Sequence, residues 1–139
     1  MANEEKNAWI YAALALVIPV IYFGNILPQL ANTAATEIAY QQPLLVAIGT
    51  AIVLAILLAI VLGIFSPKDA GKKDQRDKDI NRLGEYVAGI VLGVGFIVPF
   101  GLALIEADHF WIANAIYLVF VLSAFCGTTV KLVAYRRGL

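Results

Sequence analysis

The 139-residue sequence holds little of what enzyme chemistry usually requires. It has one cysteine, Cys126, and one histidine, His109. A single cysteine cannot form an internal disulfide, which excludes a redox relay built on paired thiols. A single histidine cannot supply the two axial imidazoles of a membrane haem unless subunits share the ligands. Charge is scarce too: 14% of residues are charged, against about 25% in an average soluble domain. Ten basic and ten acidic residues cancel, so the chain lacks the basic excess of a nucleic-acid binder. No glycine-rich phosphate loop, catalytic triad or paired-carboxylate constellation occurs. The expectation is a protein without cofactor, enzymatic activity or nucleic-acid partner.

What the chain does have is apolar surface. Hydrophobic residues make up 61% of it and the mean hydropathy is +0.83, where soluble domains are about 45–50% apolar. A chain of this size cannot hide that surface from water, which excludes a soluble enzyme and a disordered chain. Four runs, residues 8–27, 44–65, 86–105 and 110–130, are free of charged side chains and reach the ~20 residues needed to cross a hydrocarbon core. Pro28 follows the first, Pro43 opens the second and Ser66-Pro67 ends it, as helix punctuation should. The predicted fold is all-α: one integral membrane domain over residues 1–139, a four-helix bundle with a charged loop at 66–85. The first run is expected to be retained. Its leader has more acid than base, and the run exceeds a 7–15-residue signal core.

The neutral charge total conceals an asymmetry. Lys6 precedes the first span; Lys68, Lys72, Lys73, Arg76, Lys78 and Arg82 lie between the second and third; Lys131, Arg136 and Arg137 close the chain. These are all ten basic residues, and an even number of spans puts them on one side. The loops 28–43 and 106–109 carry no Lys or Arg and three acids, Glu37, Glu106 and Asp108. Basic residues of short loops stay cytoplasmic, so both termini are expected inside. Aromatic anchors agree: Trp9, Tyr11, Phe65, Tyr86 and Tyr135 near the inner boundary, Tyr40, Phe110 and Trp111 near the outer one. In the 68–82 loop, Asp69 and Asp74 precede Lys73 and Lys78 by four. That spacing supports a solvated helix extending the third span inward by two or three turns. The loop could also bind anionic headgroups or a partner.

Helices in lipid associate through small residues and hydrogen bonds. The second span offers Ala47, Ala51, Ala55, Ala59 and Gly63 at an unbroken spacing of four, the third Gly89-x-x-x-Gly93, and the fourth Ser123-x-x-x-Gly127. These faces pack either within one bundle or, for the second span above all, between subunits. Pro19 and Pro99 interrupt the hydrogen-bond ladders of the first and third spans and are expected to kink them. Glu85 and Lys131 sit at similar depth at the inner boundary, where they can pair or snorkel separately. Asn25, Thr50 and Asn114 read as interhelical hydrogen-bonding groups. The turn Glu106-Ala-Asp-His109, with Glu37, has the ligand types for a divalent cation, and a tight polar turn needs the same composition. Four-span proton-coupled drug exporters depend on a carboxylate deep in the first span, and none is present.

Taken together, several stretches are familiar. Asp74-Gln-Arg-Asp-Lys-Asp-Ile80 with Asn81-Arg-Leu-Gly-Glu-Tyr86, the run Glu106-Ala-Asp-His-Phe-Trp-Ile-Ala-Asn-Ala-Ile-Tyr117 and the ending Lys131-Leu-Val-Ala-Tyr-Arg-Arg-Gly138 resemble a family of small bacterial membrane proteins of unknown function. Glu4-Glu-Lys-x-Ala-Trp-Ile-Tyr11 and Ser66-Pro-Lys-Asp-Ala70 resemble its actinobacterial members. The resemblance spans the whole chain and implies a four-span plasma-membrane protein. It supplies no catalytic residues. The expected function is therefore helix–helix association, as a homo-oligomer or an accessory subunit, among lipids and membrane partners. The alternative is a small transporter or oligomeric pore.

Overall fold

The computed structural model describes residues 3–65 and 75–138. It contains four helical spans, each long and apolar enough to cross a membrane, and no strand among the described residues. Helix α1 runs Asn3–Ile26, α2 Gln41–Phe65, α3 Gln75–Gly95, α4 Ile97–Leu104 and α5 His109–Arg137. Helices α3 and α4 are two parts of one span, Gln75–Leu104. Pro99 has no N–H to give the carbonyl of Gly95, and the span is interrupted at Phe96. The ladder continues on either side, with Phe96 N–H donating to Leu92 O and Phe100 N–H to Phe96 O, both at 3.0 Å. Pro19 has no such effect: α1 is unbroken through it. Helix α3 starts eleven residues before Tyr86, about three turns, so the expected extension of that span is present. Phe65's side chain and the Asp69–Lys73 and Asp74–Lys78 spacings lie outside the described residues.

The connection from α1 to α2 is more structured than a polar loop. It forms two 3-10 turns, Leu27–Ala31 and Ala35–Glu37, and tucks Ile38 into the core at 4% exposure. There Ile38 joins Tyr22, Ile26, Ala47, Phe110 and Tyr117. Tyr40 meets Phe110 edge-on at 5.5 Å. Of the expected boundary anchors, Phe110 is thus a core residue and Tyr40 packs half-buried against it, whereas Trp9, Tyr11, Tyr86 and Trp111 face outward.

The spans pack as an open row. Helix α2 meets the rest of the chain chiefly through α1, α1 packs on α5, and α5 packs on α3 and α4. Total accessible surface is 8780 Å², whereas a compact soluble monomer of this mass exposes ~7,000 Å². Large apolar side chains face outward: Leu45, Ile64, Tyr86, Ile97, Phe100 and Ile105 are each at least 66% exposed.

Helix α4 ends in a tight capped turn. Ala107 N–H donates to Leu102 O at 2.9 Å and Glu106 N–H to Ala103 O at 3.1 Å, the Schellman pattern. That pattern needs a left-handed residue at Glu106, whose φ is +56°. A side chain there is strained, so Glu106→Gly should stabilise the protein by about 0.5–1 kcal/mol. An upward shift of the thermal unfolding midpoint in mild detergent checks it.

Candidate functional site

Two regions organise the helices, one at each end of the row. Towards the loops, Tyr22 Oη donates to Asn114 Oδ1 at 2.5 Å, and Asn114 Nδ2 donates to Phe110 O at 2.8 Å. Asn114 and Tyr22 are both buried, so this bond between α1 and α5 is shielded. Rings stack around it, with Tyr22 edge-on to Tyr117 at 5.2 Å and Phe23 5.7 Å from Tyr117. Asn114 thus bonds between helices as its side chain suggests. Asn25 and Thr50 are exposed, and the Asn25 carbonyl accepts from Gln29 at the end of α1.

Towards the termini the contacts are ionic. Lys131 Nζ lies 2.9 Å from Glu85 Oε1, so the two boundary charges are brought together. Arg76 donates to Tyr135 O at 3.1 Å, and Tyr135 Oη donates to Asp77 at 2.9 Å. Arg136 sits 3.5 Å from Glu5 and over the ring of Trp9. The end of α5 is tied in this way to both α1 and α3. Exposed pairs of this kind contribute only about 0–1 kcal/mol each, so they orient more than they stabilise.

Between these ends, small residues set the α3–α5 distance. A Cβ on Gly127 would lie 2.9 Å from both Gly84 O and Ala88 Cβ; one on Gly84 would run into the Lys131 stem and lie 2.9 Å from Gly127 O. Ser123 Oγ donates to Ala88 O at 2.7 Å, and a Cβ on Gly95 would meet Val119 at 2.7 Å. The interface is therefore Gly84-x-x-x-Ala88 against Ser123-x-x-x-Gly127. Of the small residues singled out in the sequence, Ser123 and Gly127 belong to it. Ala47 is buried and Ala51, Ala55, Ala59 and Gly63 are half-buried, on the helix that packs chiefly against α1.

Gly89 and Gly93 are placed differently. Both are exposed, and a Cβ at either would meet nothing within 4 Å. They lie one turn apart on α3, outside its close contact with α5. Gly93 also lines an open apolar groove of about 460 Å³ beside the helix break, with Ile97, Pro99, Phe100, Ala103 and Ile116. Gly93 is thus shared by the outward glycine pair and the groove. At the loop end, Glu106, Asp108 and His109 are exposed. Among the described residues no three His, Cys, Asp or Glu side chains converge as a metal site. No protein-family model, curated protein or solved structure matches this chain.

Proposed function

We propose that the chain is a multi-pass membrane protein with both termini cytoplasmic, and that it acts by associating through α3 with another membrane helix. The partner is a second copy of the chain or a larger membrane complex, and no reaction is catalysed. Insertion is supported by four charge-poor spans whose apolar side chains face outward, since soluble monomers rarely expose contiguous apolar surface of this extent. The orientation follows from the one-sided distribution of all ten basic residues. Assignment to a bacterial plasma membrane rests on the sequence resemblance.

The observation that carries the association is the outward-facing Gly89 and Gly93. Each glycine costs a helix about 1 kcal/mol relative to alanine. Gly84, Gly95 and Gly127 admit a neighbouring helix within the chain, whereas Gly89 and Gly93 leave a flat stripe that the chain itself does not use. In lipid such a stripe lets a second backbone approach closely. Gly93 also lines the groove at the helix break.

Particle mass tests the reading. Gently extracted wild-type protein should exceed the 15.0 kDa of one chain, and Gly89→Leu with Gly93→Leu should reduce it to that mass without unfolding the protein. A wild-type monomer, or a particle indifferent to both substitutions, overturns it. The second reading, a small transporter or oligomeric pore, draws on the break at Phe96 and Pro99, because interrupted helices line transporter sites. It requires solute flux in vesicles.

A further inference from the structure

At the terminal end of the row the described charges do not cancel locally. The four described acids there are all engaged: Glu5 by Arg136, Glu85 by Lys131, Asp77 by the Tyr135 hydroxyl and Asp79 by the Gln75 amide. Three bases are left over. Lys78, Arg82 and Arg137 are exposed, and none of them hydrogen-bonds or ion-pairs with a described residue. Two of the three share one helix face. Lys78 and Arg82 stand four residues apart on α3, and Tyr86, 68% exposed, follows four residues later. That spacing stacks the three side chains one turn above another. Arg137 stands apart from them, in the last turn of α5.

Depth says which anion such a column meets. The apolar part of α3 begins at Tyr86, so Arg82 lies ~6 Å and Lys78 ~12 Å outside it along the axis. The headgroup layer outside the hydrocarbon is ~5–8 Å thick. Arg82 therefore stands at the level of the lipid phosphates, and the long stem of Lys78 reaches the outer edge of that layer. This placement rests on the membrane insertion proposed above and not on the association step. A guanidinium takes two phosphate oxygens in one fork. A headgroup whose phosphate sits on Arg82 then projects outward past Lys78. There the trimethylammonium of a choline meets a like charge, whereas the hydroxyls of a glycerol headgroup accept from the Lys78 ammonium.

We infer that the exposed Lys78–Arg82–Tyr86 column of α3 holds the headgroup of an anionic phospholipid. The phosphate lies on Arg82, the distal part of the headgroup on Lys78, and the Tyr86 ring stands at the boundary where the acyl chains begin. Arg137 carries the same charge without a neighbouring base on its face, and it forms no such site.

Native mass spectrometry of the full chain tests this, using an equimolar mixture of phosphatidylglycerol and phosphatidylcholine with identical acyl chains. Phosphatidylglycerol should be retained about tenfold over phosphatidylcholine, as expected for two bases at the headgroup level. Lys78→Gln with Arg82→Gln should bring the two lipids to parity, and Arg137→Gln should leave the ratio unchanged. Thermal midpoints of the variants verify that they fold. Equal retention in the wild type overturns the inference, as does a preference that survives the double substitution. A preference that Arg137→Gln lowers as much overturns it too, because the attraction would then be diffuse. Excess inorganic phosphate should not displace the lipid; displacement would assign the two bases to a free anion instead. A failure of membrane insertion is distinguishable, because the protein would then not float with vesicles.

Discussion

Gly127→Leu is expected to lower the stability of the detergent-solubilised protein by about 3 kcal/mol. Overpacking in an interior costs less when the obstructing atom is the free end of a flexible side chain. Here the obstruction is backbone: Gly84 O stands 2.9 Å from where the first added carbon would go, with Ala88 Cβ at the same distance. Helix α3 must therefore move as a body, which also breaks the Ser123–Ala88 bond. Since α5 is the principal partner of α3, little else holds that helix in register. Gly127→Ala should fall between wild type and leucine. Loss of helical signal on heating or with added anionic detergent measures the difference. The outward-facing Gly89→Leu is the internal comparison, and its effect on the isolated chain should be small.

The second large effect is expected at the opposite end of the row. Asn114→Leu should cost about 2 kcal/mol, because it removes an interhelical bond worth ~0.6–1.7 kcal/mol in membrane proteins and strands the hydroxyl of Tyr22. Tyr22 is only 3% exposed, so water cannot replace the lost partner. Tyr22→Phe deletes the donor along with the bond and should cost about half as much. The double variant should then be less destabilised than the sum of the single ones, a coupling that a double-mutant cycle reads directly. Simple additivity would mean that the 2.5 Å contact contributes nothing.

The spans were legible because the signal is crude and strong. Twenty uncharged residues between charged or proline-marked ends can hardly be anything else, and the helices found overlap all four runs. Depth alone placed Glu85 and Lys131 within reach of each other but left pairing and separate snorkelling open; the structure pairs them at 2.9 Å. Helix facing was not. A span that is apolar all round has no hydrophobic stripe to orient it, so Gly84-x-x-x-Ala88 and Gly89-x-x-x-Gly93 compete on equal terms in the sequence. The choice between them is made by Ser123 and Gly127 on α5, 35 or more residues from the Ala88 they pack against. The same holds for Phe110: as an aromatic beside a polar turn it reads as a boundary anchor, yet it is 2% exposed because the α1–α2 connection folds Tyr40 and Ile38 against it. The strained φ of Glu106 gives no sequence signal, since glycine is the residue that normally marks such a turn.

The open row also bears on how the protein is made. Helix α5, on which α1, α3 and α4 all pack, emerges from the ribosome after all of them. Between the end of α1 and the start of α5 lie 82 residues, or roughly 4–16 s of synthesis. Throughout that interval the helices already made have only the α1–α2 contact among their major partners. Under the membrane insertion proposed above, each must therefore be stable in lipid as an individual segment, which the uncharged runs permit. Docking then becomes a single closing event, in which the final helix converts independent segments into one structure.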